Sequence, residues 1–404
     1  MLRLLFIVTL STAIFFTSSC NHDSGSNKTI PISSSNPQEV VTELLALADI
    51  KIDGDRAWDI QVHNPDFYNR VLVEGSLGLG ESYTEGWWDC TAIDEMIYRL
   101  LNAKIDEYAT PTWGMRWAIV KAFFCNLQDK IGSKEVIDAH YQLGNELFTS
   151  MLDSTMMYTC AYWKKAKTLD AAQKAKLDLI CRKLGLKPGM KVLDIGCGWG
   201  GFEKYAAQHY GASVVGITLS ENQAVYARDQ CKGLPVEILV KDYRDVEGSF
   251  DRVVSIGMFE HVGSKNYRDF FNVVEKLLKP DGLFLLHTIG RDTSVRVTDP
   301  WIHKYIFPNG QLPSPEQITG SFEGLFMLED WHNFGASYDK TLMAWYASFA
   351  QNWPKLQATY GDAFYRMWKY YLLSCAGAFR ARKIQLWQLV LSPQGVEGGY
   401  KSVR

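Results

Sequence analysis

Val192-Leu193-Asp194-Ile195-Gly196-Cys197-Gly198-Trp199-Gly200-Gly201 decides the fold. An apolar run enters a glycine-rich turn and leaves it as a helix. Glycine at 196, 198 and 200 lets the backbone bend sharply and approach a ligand closely, because no Cβ intervenes. The helix that follows turns its first N–H groups toward a polar or anionic group. Such a strand–turn–helix is the first βα unit of a nucleotide-type site in a doubly wound sheet. Its G-x-G-x-G spacing differs from the G-x-G-x-x-G of dinucleotide folds.

Working outward, the pattern alternates. Apolar runs predict strands over 191–195, 213–218, 236–241, 252–256 and 283–288, with helices at 171–184, 201–209, 221–231 and 267–278 between them. Continuous apolar strands separated by helices mean a mostly parallel sheet covered on both faces. Ser314-Pro315-Glu316-Gln317 has the form of a helix start. The alternation of 384–390 predicts a last, antiparallel strand at one edge. Before the sheet, 37–137 reads as helical, with apolar periodicity at Val40, Val41, Leu44, Leu45 and Leu47 and again at Ile93, Met96, Ile97, Leu100 and Leu101. The glycines between Gly75 and Gly80 mark turns. Trp87-Trp88 reads as a docking surface, a tight interdomain contact or plain core.

The chain of 404 residues has room for two domains, and a net charge of −3 argues against a general nucleic-acid binder. Its eight cysteines (20, 90, 125, 160, 181, 197, 231 and 375) show no C-x-x-C spacing. No metal site is therefore expected, and the scatter suits reduced thiols. Residues 1–20 point elsewhere. Arg3, the apolar run 4–16 and Thr17-Ser18-Ser19-Cys20 have the anatomy of a secretory signal with a loose lipoprotein cleavage site. Residues 21–36 read as a flexible tether.

In open α/β sheets, ligands bind beyond the carboxyl ends of the strands. There the second strand brings Thr218, Leu219, Ser220 and Gln223 instead of the usual ribose-binding acid. Ser220 also fits a helix cap. The third strand brings Asp242-Tyr243-Arg244, with Asp242 placed to accept from an adenine amino group and Tyr243 to stack on the ring. The fourth and fifth bring Glu260 and His287, either a structural pair or ionisable groups placed for chemistry.

With Asp194 at the strand end, the glycine turn resembles motif I of S-adenosylmethionine (AdoMet) methyltransferases. Further stretches follow in order: Tyr158-Thr159-Cys160-Ala161-Tyr162-Trp163, Thr218-Leu219-Ser220, Met258-Phe259-Glu260-His261-Val262-Gly263, Leu286-His287-Thr288-Ile289-Gly290, Phe307-Pro308-Asn309-Gly310, Asp330-Trp331-His332-Asn333-Phe334-Gly335, Tyr338 and Cys375-Ala376-Gly377-Ala378-Phe379-Arg380. Together, over 37–404, they resemble the bacterial cyclopropane-fatty-acyl-phospholipid synthases, relatives of the mycolic acid cyclopropane synthases. The segments 64–67 and 74–88 resemble the amino-terminal domain of the phospholipid-acting branch.

The resemblance implies an AdoMet methyltransferase-type α/β fold with a doubly wound, mostly parallel sheet. It divides the chain into a leader and tether (1–36), a smaller helical lipid- or membrane-docking domain (37–137) and a catalytic domain (138–404) carrying a lipid-covering insert. It places AdoMet on Tyr158, Thr159, Asp194, Gly196, Cys197, Gly198, Trp199, Gly200, Gly201, Thr218, Leu219, Ser220, Gln223, Asp242, Tyr243 and Arg244. A second small group, bicarbonate, falls to Cys160, Glu260, His287, Tyr338 and the backbone of Ile289. The implied reaction moves the AdoMet methyl carbon to a cis double bond of a phospholipid acyl chain. The resulting carbocation faces aromatic rings (Tyr158, Tyr162, Trp163, Tyr305, Phe307 and Tyr338 are candidates) and closes to a ring when bicarbonate removes a proton. Cys375 matches a cysteine assigned as active in the family. Nucleophilic catalysis is one reading and close helix packing the other.

The segment 291–312, with Arg291, Arg296, Trp301, His303, Lys304 and Tyr305, suits a lid that meets headgroups; Arg380, Arg382 and Lys383 form a second basic cluster. Either is also readable as a solvated face. The expected partners are unsaturated membrane phospholipids and a peripheral membrane surface, with a homodimer and no nucleic acid. The expected location is the cytoplasm, peripheral to or anchored on the inner face of the membrane. The leader fits an inner-face anchor, a true lipoprotein or an over-called start. Rival readings are a related methyltransferase with branched, hydroxylated or N-methylated products, and an inactive exported lipid-binding lipoprotein.

Overall fold

The computed structural model describes residues 36–104, 144–295 and 298–404. Residues 1–35, with the leader and nearly all of the tether, 105–143, Arg296 and Val297 lie outside the described residues. The chain opens with helix α1 (Pro37–Leu47), started by Asn36, whose side chain accepts from Gln38 N. Next come the short strand β1 (Gln61–Val62), helices α2 (Asp66–Glu74) and α3 (Ser76–Thr84), strand β2 (Trp88–Asp89) and helix α4 (Ile93–Asn102). Both periodic apolar stretches of the sequence are helices here. Helices α5 (Asn145–Met151) and α6 (Leu169–Lys183) then lead into the sheet.

The glycines of 75–83 do not make turns, except at Gly75 itself (φ 61°). Gly78 and Gly80 lie inside α3 because a side chain would collide with neighbours there: a Cβ on Gly78 would lie 2.6 Å from the Arg70 carbonyl oxygen, and one on Gly80 would enter the Trp301 indole. Helix propensity yields to contact. Trp88 proves to be core, fully buried, with its indole N–H donating to Ser82 Oγ (3.0 Å).

The sheet has seven strands among the described residues, ordered β5-β4-β3-β6-β7-β9-β8. They are β3 (Lys191–Ile195), β4 (Ser213–Thr218), β5 (Val236–Val240), β6 (Phe250–Ile256), β7 (Leu278–Gly290), β8 (Met327–Asn333) and β9 (Gln385–Ser392). Strands β3 to β7 are mutually parallel, as the apolar runs required. Helices α7 (Gly201–Tyr210), α8 (Glu221–Gln230) and α9 (Tyr267–Leu277) make the crossovers. The order reverses between β3 and β6, which opens a crevice at their carboxyl ends.

The last strand was expected at an edge. It lies instead between β7 and β8, antiparallel to both, and β8 is the edge. An edge strand needs no apolar alternation, and β8 exposes Met327 and Leu328, so the sequence pattern did not mark it. Helix α10 (Pro300–Tyr305) lies in the insert, and α11 (Pro315–Phe322) begins with the full reciprocal cap at Ser314 and Gln317. The helical segment α12 (Ala336–Arg380) breaks at Gly361 (φ 76°) into two arms. Its second arm seats Gly377 against α4, where a Cβ would lie 2.5 Å from the Asp94 carbonyl oxygen. No helix among the described residues is long and apolar enough to cross a membrane.

Candidate active site

A cavity occupies the crevice. Of the residues expected to hold AdoMet, Tyr158, Thr159, Asp194, Gly196, Cys197, Gly198, Trp199, Thr218, Leu219, Gln223, Asp242, Tyr243 and Arg244 line it. The turn works as its composition requires. Gly196 has φ 100°, and a Cβ there would lie 2.7 Å from Met258 Cβ across the crevice. Both Gly196 and Cys197 donate their N–H to the Ile217 carbonyl (3.0 and 2.9 Å), which ties the turn to the end of β4.

Gly200, Gly201 and Ser220 are not among the lining residues. Gly200 allows close packing on Ala227, and Gly201 on the backbone of Thr155. Ser220 caps α8 by accepting from Gln223 N (3.3 Å), the alternative its sequence position allowed. Thr218 Oγ1 donates to Gln223 Oε1 (2.8 Å), which orients that amide. Asp242 lines the cavity, and Arg244 also grips both its oxygens, at 2.7 and 2.8 Å. Tyr243 packs edge-on against Phe270 with the Arg244 guanidinium over its ring.

Glu260 follows the end of β6, and His287 lies toward the end of its neighbour β7. Glu260, in the short 3-10 turn Phe259–His261 after β6, is buried, and its Oε1 accepts the Ile289 N–H at 2.7 Å. Its Oε2 is buried with no partner. Burial pushes this carboxyl up to about 7, against the lowering effect of the Ile289 N–H. His287 lies two residues before Ile289 and so on the same face of β7. Burial holds its imidazole well below the usual range, so the ring is neutral. Gln388 on β9 donates its amide N–H to His287 Nδ1 (3.2 Å), which leaves the ring proton on Nε2, and Nε2 is buried without a partner. An unused acceptor and an unused donor therefore sit toward the ends of the adjacent strands β6 and β7.

Tyr338 lies near Glu260 and Cys160, and none of Cys160, Glu260, His287 and Tyr338 is among the residues that line the cavity. Tyr338 is buried and stacks on Phe379 (centroids 4.3 Å apart). Burial raises its hydroxyl far above the usual range, helped by the nearby Cys160, Glu260, Tyr158 and Cys375. Cys160 is fully buried, and its thiol is likewise raised by burial. Cys375 is half-buried on α12, and burial lifts its thiol to about 12. A thiol so protonated at neutral pH is a poor nucleophile. Cys375→Ala is accordingly expected to keep turnover within about threefold of wild type, far short of the loss that removing a nucleophile causes; steady-state kinetics on vesicles would check it.

The aromatic candidates divide. The Tyr158 hydroxyl bonds that of Tyr371 (2.8 Å), Tyr162 packs edge-on to Phe334, and Phe307 packs edge-on to both His261 and Tyr371. The Trp163 indole N–H donates to Thr341 Oγ1 (2.9 Å). Tyr305 is turned to α3, where its hydroxyl donates to Glu81 Oε1 (2.7 Å). In the insert, Trp301 is buried against Tyr370, and Lys304 pairs with Glu81. Arg380 does not join a free basic cluster, because Asp94, Glu95 and Asp339 engage its guanidinium. Sequence reasoning missed Gln388, Phe334, Tyr371 and Thr341. Gln388 left a trace as a polar residue in an apolar strand, and Phe334 stood within the stretch 330–335 without a role assigned to it.

Known proteins share this architecture. The profile of the family described as mycolic acid cyclopropane synthetase matches residues 128–389. The cyclopropane-fatty-acyl-phospholipid synthase of Escherichia coli (strain K12) is 53% identical over 375 residues, covering 93% of this chain and 98% of that protein. Among solved structures, the cyclopropane synthase MmaA2 from Mycobacterium tuberculosis is 35% identical with a TM-score of 0.61, covering 64% of this chain and 97% of its own. Mycolic acid cyclopropane synthase CmaA1, complexed with SAH and CTAB, gives 34% and 0.60 over the same shares. The chain therefore belongs to the mycolic acid cyclopropane synthetase family and is an AdoMet-dependent methyltransferase.

Proposed function

We propose that this chain cyclopropanates cis-unsaturated acyl chains of membrane phospholipids, using bicarbonate as the base. The observation that carries the reading is that Glu260 Oε2 and the N–H of His287 Nε2 are each buried without a partner toward the ends of adjacent strands, with Tyr338 near Glu260 and Cys160. A buried polar atom without a partner is costly. Bicarbonate, with one O–H and two acceptor oxygens, answers both needs at once. The AdoMet site is supported by the glycine cradle at Gly196 and by Asp194, a buried carboxyl that lines the cavity.

AdoMet, when bound, supplies an electrophilic methyl carbon, and bicarbonate supplies a base for the proton lost as the ring closes. The chain's own residues do the rest. Glu260 takes the bicarbonate hydroxyl proton at Oε2, while its Oε1 stays fixed by Ile289 N. His287 orients the anion through Nε2–H, held in that tautomer by Gln388. The rings of Tyr158, Phe307 and Tyr338 exclude water and offer π faces to positive charge. The amino-terminal helices form the proposed membrane-docking part. We place the enzyme as a homodimer at the inner face of the cytoplasmic membrane.

The test incubates the protein with AdoMet and vesicles of cis-unsaturated phospholipid and reads the fatty acids by mass. A gain of one CH₂ with the double bond lost supports the proposal. A methyl-branched alkene, a hydroxylated chain or no lipid product overturns it. Turnover is also expected to fall at least tenfold in carefully degassed, bicarbonate-free buffer and to return on adding bicarbonate, because removing a positioned base ordinarily costs more than that. Unchanged turnover after degassing would remove bicarbonate from the mechanism.

A further inference from the structure

Glu203, the third residue of α7, is fully buried where a helix over a parallel sheet ordinarily presents an apolar side chain. Space is made for it: a Cβ on Gly216 in β4 would lie 2.7 Å from Glu203 Oε1 and 2.8 Å from Cys197 Cβ. Its carboxyl lies against that of Asp194. Asp194 Oδ1 and both Glu203 oxygens are buried without a donor from any other side chain. Two carboxylates cannot both be charged in such a place, so they share at least one proton. Asp194 lines the cavity and Glu203 does not.

We propose that Glu203 is a positioning residue of the AdoMet site: protonated, it donates to Asp194 and keeps that carboxyl ionised for the cationic cosubstrate, so that AdoMet affinity carries an acid limb set by this pair. The inference rests on AdoMet occupying this cavity. The other groups facing the pair are few. Asp194 meets Lys176 of α6, whose ammonium donates to Thr159 Oγ1 at 2.8 Å and is lowered by burial to about 7. Lys176 in turn faces Asp153 and Cys160. Cys197 and Cys231 lie beside Glu203, and burial keeps both thiols protonated. Burial raises both carboxyls, and Glu203 as donor lowers Asp194. When the pair is doubly protonated, binding a cation must release a proton. Affinity then falls about tenfold for each pH unit below the limb.

The experiment is calorimetric titration of the full chain with AdoMet between about pH 5.5 and 8.5, in buffers of different ionisation enthalpy, for wild type, Glu203→Gln and Glu203→Met. The glutamine amide still donates to Asp194. Methionine fills similar volume and donates nothing, so it separates proton donation from packing. Expected are proton release by wild type on the acid side, a limb in Glu203→Gln unmoved within about 0.3 pH unit, and a limb in Glu203→Met raised by about one unit or more. AdoMet then binds the Met variant roughly tenfold more weakly near neutrality. Equal behaviour of the two variants, or binding by wild type without proton exchange, overturns the inference. Failure of wild type to bind AdoMet at any pH overturns the cofactor assignment itself.

Discussion

Replacing Glu260 by glutamine is expected to lower cyclopropane formation by about 10²–10⁴-fold, the usual worth of a positioned acid or base, while AdoMet binds nearly as well as before. The amide oxygen can still accept the Ile289 N–H that Glu260 Oε1 accepts at 2.7 Å, so the backbone around it has no reason to move. What disappears is the ability to take up a proton at the second oxygen, which is buried and unpartnered. The pH dependence follows with a definite sign. Burial raises this carboxyl to about 7, and the working form is the anion, so wild-type turnover should climb as pH rises through that value. The variant should lack this limb. Turnover on vesicles across pH, with calorimetric AdoMet binding beside it, checks both parts. A variant that lost its affinity for AdoMet, or kept its turnover, would show that Glu260 does something else.

A second large effect is expected from Asp330→Ala, this time on stability. Lys183 is fully buried on α6, and its ammonium lies 3.0 Å from Asp330 Oδ2 on β8. Arg404 and Ser402 close on the same carboxylate, at 2.6 and 2.9 Å, and Tyr400 donates to the Lys183 carbonyl (2.9 Å). Burial works to raise the Asp330 carboxyl, but the bonds from Arg404 and Lys183 outweigh it and hold it near 2. Burial lowers the Lys183 ammonium to about 8 despite Asp330. Removing Asp330 leaves that charge unpaired in the interior, at a cost of about 3–5 kcal/mol. The sign of the pH effect is again fixed. Asp330 raises the Lys183 pKa, so without it the ammonium titrates below about 8, and the extra penalty of the variant is relieved as pH rises toward that value. The defect of the variant should therefore shrink in alkali. Urea midpoints at neutral and alkaline pH would measure it, and Lys183→Met with Asp330→Leu should recover most of the loss. A defect independent of pH would mean that the buried charge is not its source. Activity should fall too, because β8 leads into Phe334, whose ring packs edge-on against His287.

The parallel half of the sheet was legible because fully buried strands such as Val192–Ile195 are continuous apolar runs, and because glycine at 196 and the cap at Ser314 have local causes. The ends of those strands then located Asp194, Glu260 and His287. The rest depends on distant partners. Strand β8 carries exposed Met327 and Leu328 and takes its identity from β9. Helix α3 holds glycines that only Arg70 and Trp301 explain. The tautomer of His287 rests on Gln388, which the antiparallel register sets directly opposite it, 101 residues away. No local pattern reports such a pairing.

The place of β9 also bears on how the molecule is made. The stretch 278–290 gains one neighbour, β6, as soon as it leaves the ribosome, but its other side must wait for residues 385–392. At ordinary elongation speeds that interval is on the order of ten seconds. For that time a long apolar strand presents open amides and carbonyls to any other nascent chain, the situation in which strands recruit the wrong partner. Synthesis that stalls between residues 290 and 385 should therefore yield aggregates, and slow translation of that interval should raise the demand for chaperones.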